Sequence, residues 1–176
     1  IKIDDRGPVF YTQVRLTKDR KEFKLIKFRS MSIDAEIDGV PRLASKDDPR
    51  VTRVGKWLRK TRIDELPQFI NVLKGEMSIV GPRPERPEIA AQYEEVLPEF
   101  ALRLITKAGI TGYAQIYGKY NTEPYDKLQM DLMYILNRSL WEDAKLILMT
   151  LSLVLAKGST EGVDAENVTA IKRDAK

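Results

Sequence analysis

A proline inside a helix loses a hydrogen bond and clashes with the turn before it. In RIDELPQFINVLKG, residues 62–75, Pro67 therefore has to lie in or near the first turn of whatever helix forms. Leu66, Phe69, Ile70 and Leu73 are spaced i, i+3, i+4, i+7, one face of such a helix, and Gly75 is a natural stop. The frame predicts a helix that begins close to Asp64, with Asp64 and Glu65 at its N-terminus. Neighbours on a helix diverge by about 100°, so the two carboxylates are free to take different roles. The helix dipole and free N–H groups favour an anion there, which predicts an ionised Asp64. An acidic pair in a first turn is also an ordinary cap.

The remaining chain reads as short elements. VFYTQVRL and EFKLIKFRS flank the turn TKDRKE and predict a β-hairpin over 9–30. SIDAEIDGVPRLASK is loop-like. Asp48 as cap and Pro49 at the first position predict a helix with Val51, Val54, Trp57 and Leu58 on one face. GPRPERPE is a connection, and a helix follows over 87–97 along Ile89, Tyr93, Val96 and Leu97 until Pro98. AGITGYAQIYG is loop or strand, with Gly109 and Gly112 permitting close backbone approach. A helix over 124–137 carries Leu128, Leu132, Ile135 and Leu136. SLWE at 139–142 matches a capping box for a helix reaching about Lys157. Its segment LILMTLSLVLA is apolar on nearly every side, which suits either a fully buried core helix or one lying at a membrane interface. The expected fold is α/β and mostly helical: one compact domain over 1–157 with a small N-terminal β-hairpin and amphipathic interface helices, then a polar tail over 158–176.

Composition narrows the chemistry. There is no cysteine and no histidine in 176 residues. Disulfides, thiol catalysis, thiolate zinc sites and histidine-based triads are excluded. Any nucleophile or base is a carboxylate, Lys, Tyr, Ser or Thr. Charge is uneven: residues 1–62 hold 17 Lys/Arg against 9 Asp/Glu, and residues 63–176 hold 13 against 17. A basic first third implies an anionic partner such as phosphate, nucleotide or lipid headgroup, or else a solvated basic surface. No P-loop, zinc motif, helix-turn-helix or RNA-binding signature is present, so no nucleic-acid partner is expected. The chain opens at Ile1, consistent with a fragment, and no apolar run reaches the roughly 20 residues a bilayer span needs.

GPVFYTQVRL, KLIKFRSM, DDPRVTRVGKWLRKTRIDELPQFINVLKGEMSIVGPRPERPE and GITGYAQIYG occur in that order. Together they resemble the bacterial sugar transferases, monotopic phosphoglycosyl transferases that begin exopolysaccharide, capsule and O-antigen synthesis. The resemblance spans roughly residues 7–157. It implies transfer of a sugar 1-phosphate from a UDP-sugar to undecaprenyl phosphate, with release of UMP, at the cytoplasmic face of the bacterial inner membrane. It implies Asp64 as the nucleophile that forms an aspartyl phospho-sugar, a magnesium requirement, and Glu65 as partner in metal contact or proton handling, with both carboxylates as metal ligands. By position it implies Arg83 facing the nucleotide, Lys27 and Arg29 lining the phosphate site with Arg59 in reach, and Gln115 in the substrate site. An anionic membrane surface is an implied partner, and a homo-oligomer is compatible with it. The family carries a membrane-embedded re-entrant helix upstream of the matched stretch. Three positions depart from its pattern: Leu16 for a usual Gly, Arg62 for Ser or Thr, and Ala108 for Pro. The rival reading is a catalytically silent nucleotide-sugar-binding domain.

Overall fold

The computed structural model describes residues 1–35, 48–118 and 122–155. Most of SIDAEIDGVPRLASK and the whole 158–176 tail lie outside them. Among the described residues, seven α-helices, α1 (Lys2–Asp5), α2 (Arg53–Lys60), α3 (Gln68–Leu73), α4 (Pro87–Val96), α5 (Tyr113–Ile116), α6 (Pro124–Asn137) and α7 (Leu140–Leu155), outweigh four strands. Strands β1 (Phe10–Leu16) and β2 (Glu22–Phe28) form the expected antiparallel hairpin. Strands β3 (Ser78–Val80) and β4 (Gly109–Thr111) pair in parallel, joined through α4 and a 3-10 helix, Pro98–Ile105. Sequence pattern missed β3, because three residues are too few to show a period.

Three small apolar clusters build the core. Phe23, Leu25 and Met77 join the hairpin to β3, with Val72 of α3 against them. Ile89, Tyr93, Phe100 and Leu128 join α4, the 3-10 helix and α6. Val80, Tyr134 and Leu146 join β3, α6 and α7. Between β3 and β4 the backbones touch: a Cβ on Gly109 would stand 2.1 Å from Gly81 N, and one on Gly112 would stand 2.5 Å from Gly81 O.

In helix α3 the expected face faces outward. Its apolar stripe points outward, with Leu66, Phe69, Ile70 and Leu73 all exposed, while Gln68 and Asn71 are buried. Asn71 explains why. Its Oδ1 accepts from Ile26 N at 3.1 Å, and its Nδ2 donates to Lys24 O at 2.9 Å and to Glu76 Oε2 at 2.6 Å. Its amide thus occupies the open edge of β2 as a neighbouring strand would. Gly75, at φ 76, closes α3 as expected: Glu76 N bonds Asn71 O and Gly75 N bonds Val72 O, a Schellman motif.

Several boundaries move. Helix α2 starts at Arg53 rather than at Pro49, because Val51 is held in a bridge with Met31. Thr52 is its cap, accepting from Gly55 N at 3.0 Å, and Asp4 accepts from Val54 N at 3.1 Å. Of its expected face only Leu58 is buried, and Trp57 is exposed, as is Trp141. On α6, Leu128 is buried and Leu136 is exposed. Half of the capping box forms: Ser139 Oγ accepts from Glu142 N at 3.2 Å, while the Glu142 carboxylate accepts from the Tyr113 hydroxyl. The reading of α7 as a fully buried helix is overturned. Leu146 is buried, yet Leu140, Trp141, Leu148, Leu151 and Leu155 are exposed. No helix among the described residues is long and apolar enough to cross a membrane. The family departures are accommodated: Leu16 is buried, and Ala108 N donates to Thr17 Oγ1 at 3.1 Å, a bond that proline could not make.

Asn71→Ala is expected to strand the Ile26 N–H and Lys24 carbonyl without partners and to cost about 2–4 kcal/mol. Urea unfolding would check it; a loss under about 0.5 kcal/mol would contradict the role given to Asn71.

Candidate active site

The inward face of the hairpin supplies cations. Cross-strand pairing sets Arg15 opposite Phe23, Gln13 opposite Leu25 and Tyr11 opposite Lys27, so these six share one face. Phe23 and Leu25 are core residues. Arg15 and Lys27 thus emerge at either end of an apolar pair, where burial favours contact with a carboxylate over water.

Carboxylates come from the turn before α3. Arg62 takes a left-handed conformation at φ 55 and ψ 15, and Ile63–Glu65 then form a single 3-10 turn. Leu66 and Pro67 intervene before α3, so neither acid stands in an α-helix as the sequence frame expected. In a 3-10 turn successive side chains diverge by about 120°, and Asp64 and Glu65 have different fates. Glu65 Oε1 accepts from Lys27 Nζ at 2.8 Å and lies 3.5 Å from Arg83 Nη2. Asp64 has no hydrogen-bond donor among the described residues.

Electrostatics separate the pair further. Burial would raise the Glu65 carboxyl, but Lys27, Arg83 and Arg62 outweigh it and hold it well below the usual range. Asp64 moves the other way. Burial raises it, the Glu65 charge adds, and Lys27, Arg59 and Arg83 oppose only in part. Burial and the Glu65 charge, rather than a helix terminus, thus set the direction for Asp64. Burial wins on Lys27, whose ammonium is lowered with Glu65 opposing and the Arg83 charge adding to the shift. Two acids pushed apart in this way can divide one reaction between them.

Arg15, Lys27, Glu65, Gln68, Arg83 and Gly109 line one narrow cleft. Of the expected site residues Glu65, Lys27 and Arg83 line the cleft, while Asp64 and Arg59 lie outside that lining, with Asp64 near enough to feel the charges of Glu65, Lys27, Arg59 and Arg83. Arg29 is elsewhere: it is buried, its guanidinium so close over Gly7 that a Cβ there would stand 2.1 Å from Nη1. Gln115 donates to Gly81 O at 3.3 Å and is not among the residues lining the cleft. Arg15 is the cleft residue that sequence reasoning missed. Its Nη1 donates to Pro84 O at 3.0 Å, and burial lowers it to about 10, with Glu85 opposing. The signal was there: a cation on the same alternating face as Phe23 and Leu25.

No cluster of three or more acidic side chains able to hold a metal ion occurs among the described residues. Asp64, with its unbonded oxygens, and Glu65 beside it suit an ion that takes its other ligands from phosphate and water, as magnesium commonly does.

Residues 1–157 match the model of a family described as bacterial sugar transferase. The chain is 44% identical over 158 residues to the UDP-N-acetylgalactosamine-undecaprenyl-phosphate N-acetylgalactosaminephosphotransferase of Aeromonas hydrophila, covering 88% of this chain and 37% of that protein. It is 46% identical over 155 residues to the UDP-glucose:undecaprenyl-phosphate glucose-1-phosphate transferase of Escherichia coli K12, covering 85% and 33%. It is 41% identical over 169 residues to the exopolysaccharide production protein PSS of Rhizobium leguminosarum, covering 90% and 83%. The chain thus spans about a third of the length of the first two relatives.

Lys27→Met is expected to leave Glu65 without its nearest partner and to cost about 2 kcal/mol at pH 7. A depressed carboxyl stabilises the fold above the unfolded value of about 4.3 and loses that contribution as pH falls through its folded value. The deficit should therefore shrink on acidification. Urea midpoints of both proteins at pH 7 and pH 3 would check it, and a deficit equal at the two pH values would contradict the pairing.

Proposed function

The chain belongs to the bacterial sugar transferase family, and from that premise we propose that it moves a sugar 1-phosphate from a UDP-sugar to undecaprenyl phosphate through a covalent intermediate on Asp64, an early step of exopolysaccharide-type glycan synthesis. The observation that carries this reading is the inequality of the two acids: Glu65 is committed to Lys27 and Arg83, while Asp64, beside the same cations, accepts no side-chain hydrogen bond among the described residues.

An Asp64 oxygen attacks the β-phosphorus. The bond from that phosphorus to the bridging oxygen breaks, and UMP leaves with the electron pair. A lipid phosphate oxygen then attacks the same phosphorus, the aspartyl–phosphate bond breaks, and Asp64 is regenerated. Such transfer needs positioning and charge neutralisation more than covalent machinery. Arg83 offers a planar fork to the diphosphate, and Arg15 and Lys27 add positive charge in the same cleft. Glu65 holds Lys27 and Arg83 close to one another. Magnesium held by Asp64 and Glu65 would supply further neutralisation of phosphate charge.

The lipid acceptor requires a membrane. The exposed apolar residues of α3 and α7, with the excess of Lys and Arg in residues 1–62, support a surface that rests on an anionic bilayer at the cytoplasmic side.

UMP release from a panel of UDP-sugars, measured in full-length protein with magnesium and undecaprenyl phosphate, tests the reaction. Asp64→Asn is expected to reduce it at least about a hundredfold. Release from no sugar by folded, membrane-inserted protein would favour a silent binding domain. Vesicle co-sedimentation tests the surface: binding should be stronger to anionic than to neutral vesicles, and Phe69→Glu with Leu73→Glu should weaken it without shifting the melting temperature. Equal binding to both vesicle types would remove the electrostatic part of the reading.

A further inference from the structure

Four consecutive carbonyls in the loop that carries Arg83 are each claimed by a donor from elsewhere in the chain. Gly109 N donates to Pro82 O at 2.9 Å, and Leu16 N to Glu85 O at 2.9 Å. Between them, Arg103 Nη2 donates to Arg83 O at 2.8 Å, and Arg15 Nη1 to Pro84 O at 3.0 Å. Pro82 and Pro84 have no N–H, so what the carbonyls accept decides how this loop sits.

Arg103 is an expensive way to satisfy one carbonyl. It is 2% exposed, and its partner Asp131 is 1% exposed. Its Nε and Nη2 lie 2.8 and 2.6 Å from Asp131 Oδ2, and its Nη1 lies 3.4 Å from Glu85 Oε1. A buried ion pair is a poor source of net stability, because desolvation offsets the attraction. Asp131 neutralises the guanidinium, and the geometry that results delivers one N–H to the carbonyl of Arg83. The Arg83 side chain then leaves a backbone fixed on both sides, 40% exposed and aimed at Glu65.

We propose that Arg103 and Arg15 are positioning residues, which clamp successive carbonyls of the Pro82–Glu85 loop and thereby set the Arg83 guanidinium in the cleft. The inference rests on the reading of Arg83 as a donor-binding residue. Lysine keeps the charge but not the fork: at Arg103 it cannot reach the Asp131 carboxylate and the Arg83 carbonyl together, and at Arg15 it cannot reach Gln13 Oε1 and the Pro84 carbonyl together.

A double-mutant cycle in the full-length protein tests it, reading KM and kcat for the UDP-sugar through UMP release. Arg103→Lys alone should lower kcat/KM about tenfold, mostly through KM, and less than about twofold when added to Arg83→Ala. A residue that acts only on overall folding would multiply the loss by the same factor in both backgrounds, and that result overturns the proposal. Wild-type kinetics for Arg103→Lys, with Arg83→Ala impaired, overturns it while leaving the role of Arg83 intact. Wild-type KM for Arg83→Ala strikes the donor-binding reading itself and the proposal with it. If Arg103→Lys shows no cooperative melt, the same cycle with Arg15→Lys decides by the same criteria.

Discussion

One side-chain amide holds the two halves of the site in register. Asn71 reaches across from α3 to the open edge of β2 and satisfies Ile26 N and Lys24 O. Lys27 follows one residue beyond that contact, and Glu65 precedes Asn71 by six positions, across the turn at Leu66 and Pro67. The Lys27–Glu65 contact is therefore a consequence of where Asn71 docks. Being fully buried and bonded on both sides of its amide, Asn71 has no alternative register in which its polar atoms remain satisfied.

From that docking follows the unequal treatment of the two acids. Glu65 is tied to Lys27 and Arg83, and Asp64 lies near the same cations with no hydrogen bond to them among the described residues. Neither composition nor position in the chain distinguishes adjacent carboxylates; what each one bonds does. The same logic governs the basic residues. Arg15, Lys27 and Arg83 converge from β1, β2 and the proline loop, whereas Arg29, two residues beyond Lys27, is packed under Gly7. Like-charged side chains gathered in this way repel one another, and Glu65 offsets that repulsion for Lys27 and Arg83.

The apolar residues show where pattern reading succeeds and where it misleads. Leu66, Phe69, Ile70 and Leu73 locate a helix because their period is helical. Periodicity says which residues share a face, not which way the face points. In α3 the apolar face is outside because Asn71 and Gln68 take the inside. In α7 nearly continuous apolarity left two environments open, and the structure leaves one stripe against Val80 and Tyr134 with the rest exposed.

The sequence by itself determined the local structure and the chemical vocabulary. The hairpin, α4, α6 and α7 follow from alternation, helical period and proline, all interactions between near neighbours. The absence of His and Cys left carboxylates, Lys, Tyr, Ser and Thr as the chemistry, and the family resemblance pointed to Asp64, Glu65 and Arg83 among them. Only the tertiary structure decided which acid is tied and which is open, that Arg15 belongs to the cleft and Arg29 and Gln115 do not, and that Arg103 reaches the Arg83 carbonyl. Those outcomes depend on contacts between residues tens of positions apart. Burial, desolvation and the satisfaction of backbone carbonyls are settled there by packing, and no local pattern encodes them.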